Sequence, residues 1–336
     1  MKKLLLLMFL VLPFIAAGQL RKPSGKYECG VRSLSLIDSS RVDSALGRHR
    51  EIPLTVWYPA AGQAGKRKAY VPDEMREALL ESGYAHLDSQ ALSALFTLET
   101  NSIRDAAPVK ESRKFPVVLF SAGWGMSTFS YTALIEDLVS HGIIVIAMDN
   151  LYCGPVRLAD GRIITQQAYP YETYAPYLQS AFQDSRFVMD TFLAGANGLG
   201  FLKGLADQDR LGMVGHSIGG NVALLVAQDP GPFRFAINLD GGAFEKAFSG
   251  TMEIPAFTVR SFPTYTDAEL SAKGRTRAGW DEMGATIDSV FQANLEKTRA
   301  ISIEVRIPST GHMSFSDAPF LMPDMLTRFG GSYLTP

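Results

Sequence analysis

The chain has 336 residues, 46% of them hydrophobic and 20% charged, with a formal net charge of −2. That composition excludes a disordered or low-complexity chain and leaves room for one large α/β domain or two small ones. Near-neutral charge without a dense Lys/Arg run argues against a nucleic-acid partner.

Lys2-Lys3, an apolar run over 4–15 broken by Pro13, and Ala16-Ala17-Gly18 make the three parts of a secretory signal peptide over residues 1–18. The run is short for a bilayer span, and no cysteine follows it directly to carry a lipid anchor. No later stretch has the length and apolarity of a membrane span, so no integral membrane segment is expected after cleavage. The expected mature chain is exported, periplasmic or secreted. Without Lys2 and Lys3 it carries 30 basic against 34 acidic residues, net −4. Its two cysteines, Cys29 and Cys153, enter an oxidising compartment, and whether they pair is left open. No Cys/His cluster has metal-ligand spacing and there is no H-E-x-x-H, so neither metal nor organic cofactor is expected.

In chain order, 27–38 and 51–58 read as strands, the second rich in β-branched and aromatic residues, with polar 39–50 and its Gly47 as a hairpin loop. From 60 to 112 the character changes. Helical spacing at 73–82 and 89–98 predicts a helical cap or flap. Residues 115–120 are a buried strand, 129–139 its helix, closed by His141-Gly142, and 143–148 the next buried strand. Two nearly continuous apolar strands around a helix make a parallel βαβ unit. A tyrosine-bearing loop over 152–174 and a helix over 177–194 follow. Strands are expected at 211–214, 235–239, 254–259 and 301–307, and helices at 220–228 and 319–329. Residues 264–300 read as a long, largely helical insertion. The whole predicts a single α/β domain over 19–336, with a mostly parallel central sheet, helices on both faces, and insertions at about 60–112 and 264–300. In such sheets chemistry gathers at the carboxyl ends of the strands.

Gly215-His216-Ser217-Ile218-Gly219 reads G-x-S-x-G between a predicted strand and a predicted helix. A strand-turn-helix pinches the serine into a strained backbone and lifts Oγ clear of the sheet edge. The helix aims its free N–H groups and positive end at the same place. A serine hydroxyl still needs a base and a group that orients the base. Of five histidines, His49 lies in an early loop, His86 in the cap and His141 at a helix end. His216 cannot reach back to its neighbour's Oγ and reads as packing. His312, just beyond the last strand, is favoured as the base by elimination and position over a structural histidine. Asp240 ends the strand after the elbow helix, and Asp267 follows the next strand. Asp240 is favoured as the acid, because Asp267 sits in a polar run that suits a solvated carboxylate. Oxyanion donors are expected from the amide of Ile218 and from the turn Ser121-Ala122-Gly123-Trp124-Gly125, with Trp124 as its donor.

The chain resembles the α/β-hydrolase superfamily and, within it, the platelet-activating factor acetylhydrolase (isoform II, plasma-type) family and its bacterial relatives. The stretches that carry the resemblance are Leu54-Thr55-Val56-Trp57-Tyr58-Pro59, 115–125, Ser140-His141-Gly142, 215–220, Leu239-Asp240-Gly241 and Gly311-His312. It implies an α/β-hydrolase fold with Ser217 as nucleophile, Asp240 as acid, His312 as base, and oxyanion amides on Trp124 and Ile218. Ala122 departs from the histidine usual before the oxyanion-turn glycine. The expected function is hydrolysis of small-molecule or lipid carboxylic esters through an acyl-enzyme. Tyr70, Tyr171, Tyr174 and Trp280 are candidate wall residues. A catalytically silent secreted binding protein is the alternative, as is a peptidase or acyltransferase with the same triad. Oligomeric state, acyl length and the alcohol half of the substrate are not legible.

Overall fold

The computed structural model describes residues 20–62, 65–80, 89–167, 174–242, 250–296 and 298–321. The expected signal peptide, His86, Tyr171 and most of the expected closing helix fall outside them.

Strands β1 (Glu28–Asp43) and β2 (Arg48–Ala60) pair antiparallel from Glu28↔Ala60 to Asp43↔Arg48. The expected loop over 39–50 is mostly strand. The chain reverses over 44–47, where Gly47 at φ +63° donates to the Asp43 carbonyl, and a bulge lies between Asp38 and Val42. The buried charges there are paired rather than solvated. Arg41 bridges Asp38 and Asp184 at 2.6 Å each, and Arg50 bridges Asp43 at 2.8 Å and Asp184 at 2.7 Å.

The next segment holds β3 (Arg67–Ala69), α1 (Arg76–Leu80), α2 (Ser89–Thr97) and β4 (Glu99–Arg104). Helices were expected there, yet β4 runs parallel to β1 and antiparallel to β3, extending the sheet. Buried polar side chains on β4 conceal it from a polarity reading. Ser102 accepts from Trp57 Nε1 at 3.1 Å and donates to Glu136 at 2.5 Å.

The central repeat follows: β5 (Phe115–Ser121), α3 (Thr132–Ser140), β6 (Ile144–Met148), a small hairpin of β7 (Val156–Arg157) and β8 (Ile163–Ile164), and α4 (Tyr174–Leu193). His141 caps α3, and Gly142 takes φ +85°. Then come β9 (Ala206–His216), α5 (Ile218–Gln228), β10 (Phe235–Leu239), β11 (Ala256–Phe262), α6 (Asp267–Ala272), α7 (Arg277–Glu296), β12 (Ser302–Pro308) and α8 (Ala318–Leu321).

The sheet runs β12-β11-β10-β9-β5-β6-β2-β1-β4-β3, and the six strands from β12 to β6 are mutually parallel. Each face carries an apolar cluster. One joins Leu54, Leu119, Met213, Val188 and Val222; the other joins Trp57, Phe120, Val145, Tyr131 and Ile135. Cys153 belongs to the first and Cys29 to the second, so the sheet separates them, and both are free thiols. Burial raises both, Cys153 to about 12. No described helix is long and apolar enough to cross a membrane.

Candidate active site

Three loops at the carboxyl ends of parallel strands meet at one rim. Ser217 leaves β9 at φ 56°, ψ −121°, a region that costs a non-glycine residue about 1–3 kcal/mol. Its N–H donates to Leu239 O at 2.9 Å, and its carbonyl accepts from Asn221 N at 3.2 Å. The flanking glycines are steric necessities. A Cβ at Gly215 would fall on the Gly219 carbonyl, and one at Gly219 on the Ser121 carbonyl. The elbow helix is thereby pressed against the end of β5, where the glycine-bearing turn begins.

His312 follows β12, and its Nε2 lies 2.9 Å from Ser217 Oγ. Asp240 directly follows β10 at φ 54°, and its Oδ2 lies 2.8 Å from His312 Nδ1. A carboxylate only accepts, so Nδ1 carries the proton and Nε2 is free to accept from the Ser217 hydroxyl. Asp240 Oδ1 accepts the Ser261 amide at 2.7 Å, and Oδ2 accepts the Ser261 hydroxyl at 2.8 Å. Burial opposes ionisation of Asp240, but the bonds from His312 and Ser261 outweigh it and hold the carboxyl below the usual range. Asp267 stands elsewhere. It opens α6 with its side chain 81% exposed and pairs with Arg277 at 2.9 Å.

The turn after β5 lies against the serine: a Cβ at Gly123 would sit 3.2 Å from Ser217 Cβ. The amides on either side of Trp124 are engaged. Gly123 N–H donates to the Tyr131 hydroxyl at 2.9 Å, and Gly125 N–H to Cys153 O at 2.7 Å. Ile218 is the first residue of α5, where amides have no intrahelical partner. The Trp124 ring stacks edge-on with Tyr174 at 4.9 Å and Tyr177 at 5.3 Å, an aromatic wall beside the turn. Tyr70 instead lies buried against Phe129, in the cluster that joins Met75, Leu79 and Leu95 to Met313. Trp280 packs edge-on against Tyr265, ring centroids 5.0 Å apart.

Sequence reading missed Ser261, Tyr131 and the reach of His216. Strand register could have found Ser261. Val259 pairs with Leu239, so the residue two beyond Val259 stands beside the one after Leu239. Nothing local marks Tyr131, which meets the turn only through the fold. Among the described residues no cluster of His, Cys, Asp and Glu could hold a metal ion.

Comparison with known proteins gives this geometry a family. The model of platelet-activating factor acetylhydrolase, isoform II, matches residues 14–151 and 186–332, and that of chlorophyllase matches 97–239. A probable 1-alkyl-2-acetylglycerophosphocholine esterase of Arthroderma benhamiae is 24% identical, over 90% of this chain and 77% of the relative. A ferulic acid esterase from Streptomyces cinnamoneus superposes with a TM-score of 0.70 at 26% identity, covering 95% of this chain and 84% of that one. The chain belongs to the platelet-activating factor acetylhydrolase, isoform II, family and is an ester hydrolase of the α/β-hydrolase fold.

Proposed function

We propose that the protein cleaves carboxylic esters through an acyl-enzyme on Ser217, with His312 as base and Asp240 as its orienting acid. One observation carries the reading: the Ser217–His312–Asp240 chain, 2.9 and 2.8 Å long, beyond the carboxyl ends of β9, β12 and β10. Ser217 Oγ attacks the ester carbonyl carbon while its proton passes to His312 Nε2. Asp240 stabilises the imidazolium. The negative oxygen is received by the Ile218 and Trp124 amides. The intermediate collapses, the C–O bond to the alcohol breaks, and His312 returns its proton to the leaving oxygen. Water then attacks the acyl carbon, again giving its proton to His312, and the acid leaves as Ser217 is restored.

The substrate class is small-molecule or lipid esters. The relatives act, by their names, on an acetyl ester of an alkyl glycerophosphocholine and on ferulic acid esters. The aromatic wall of Trp124, Tyr174 and Tyr177 supports an ester with an apolar part. Residues 60–112 are read as a flap, supported by the packing of Tyr70, Met75 and Leu79 with Met313, next to the base. Export rests on the three-part layout of residues 1–18. A panel of p-nitrophenyl esters graded by acyl length tests the activity. Hydrolysis by the wild type and its loss in Ser217→Ala are expected; equal rates in the two would overturn the reading.

A further inference from the structure

His216 is fully buried inside the elbow, and both ring nitrogens are engaged. Nε2 lies 2.9 Å from the backbone carbonyl of His312, and Nδ1 lies 2.7 Å from the Tyr131 hydroxyl. A carbonyl can only accept, so Nε2 carries the proton. A neutral ring then leaves Nδ1 as an acceptor, and Tyr131 donates to it. The Tyr131 oxygen in turn accepts the Gly123 amide at 2.9 Å. Burial, with His312 alongside, keeps the His216 ring neutral. An unbroken hydrogen-bonded path therefore runs from the base's own backbone, through His216 and Tyr131, to the turn beside Trp124.

We propose that His216 is a positioning residue for the reaction. It tethers the His312 loop so that the base faces Ser217, and through Tyr131 it fixes the Gly123 amide so that the turn presents its next amide to the oxyanion. This rests on the reading of Ser217 and His312 given above. His216 moves no proton. Its two nitrogens are committed, and its ring meets that of His312 only in van der Waals contact, centroids 4.6 Å apart. Its effect is on geometry, and displacement of a catalytic group by about 1 Å can cost on the order of 10²-fold in rate.

Two substitutions divide the bonds. Asparagine places Oδ1 near the site of Nδ1, keeping the acceptor for Tyr131 and losing the donor to His312. Glutamine places its amide nitrogen near the site of Nε2, keeping the donor and losing the acceptor. The experiment measures kcat and KM on a p-nitrophenyl ester, with phosphonate labelling of Ser217 and thermal melting, for wild type, His216→Asn, His216→Gln and Tyr131→Phe. The expected result is a kcat lower by roughly 10–10²-fold in His216→Asn with KM little changed, and partial recovery of kcat in His216→Gln. Tyr131→Phe, which retains the His312 tether, is expected to lose kcat through the turn and gives an independent reading should a His216 variant fail to fold. Folded variants with wild-type kcat, or a loss that merely follows the unfolded fraction, overturn the proposal. A wild type that neither hydrolyses the ester nor labels at Ser217 overturns the underlying reading, and this inference with it.

Discussion

Ser261 holds Asp240 from two sides, its amide 2.7 Å from Oδ1 and its hydroxyl 2.8 Å from Oδ2. The hydroxyl shares that oxygen with His312, so it helps fix both the charge and the direction of the carboxylate. Ser261→Ala leaves the amide bond and removes the other. A hydrogen bond to a charged group contributes about 1.5–3 kcal/mol, so kcat is expected to fall by roughly 10–10²-fold. Because this bond helps depress Asp240, its loss moves the acid limb of the kcat/KM profile to higher pH. A rate and profile equal to wild type would remove Ser261 from the site.

The two acids separate by substitution. Asp240→Asn leaves His312 without the acceptor that fixes its tautomer, and kcat is expected to fall by on the order of 10⁴-fold. Asp267→Asn alters an exposed first-turn carboxylate paired with Arg277, and kcat is expected to stay unchanged. Steady-state kinetics on both variants checks this, and the opposite ranking would reassign the acid.

Asp317 docks the segment after His312 onto α3, accepting the Ala133 amide at 3.0 Å and donating its own to Ser130 O at 2.7 Å. Burial raises its carboxyl from 3.8 to about 7, with Glu136 adding to the rise and Lys68 nearby. Between those values the folded chain keeps a proton that the unfolded chain has released. The contribution is therefore present in acid and lost as pH rises to about 7. Asp317→Asn is permanently neutral. Its unfolding free energy relative to wild type, followed by melting at each pH, is expected to climb from pH 4 to pH 7 and then level off, by on the order of 4 kcal/mol at most. A difference independent of pH would contradict the shifted carboxyl.

Cys29 and Cys153 lie in clusters on opposite faces of the sheet, and burial holds both thiols above their ordinary range. Neither is expected to react with a thiol reagent in the native protein, and both are expected to react after denaturation without reductant. A non-reactive denatured chain would mean that the two are bonded.

The most legible strands were those written as apolar runs: β5 and β6, buried on both faces, and β10, buried on one face and half-buried on the other, all lie where continuous hydrophobicity placed them. The elbow was legible because Gly215 and Gly219 leave no room for a Cβ, so a steric demand is written directly into the residue type. Strand β4 and the ends of β1 and β2 were hidden for the opposite reason. Thr100, Ser102, Asp43 and Arg50 look solvated, and become interior only through partners such as Lys68, Glu136 and Asp184 far along the chain. His216 was read as packing because it cannot serve as the neighbouring base. Its bonds to Tyr131 and His312 span 85 and 96 residues, a distance that no local pattern carries.

The most direct test of Ser217 as an activated nucleophile is the rate and site of its reaction with a fluorophosphonate, read by peptide mass. An adduct on Ser217 is expected in the wild type, with a rate lower by several powers of ten in a folded His312→Ala variant. An active wild type whose Ser217 stays unlabelled, or labels as fast without His312, would contradict it.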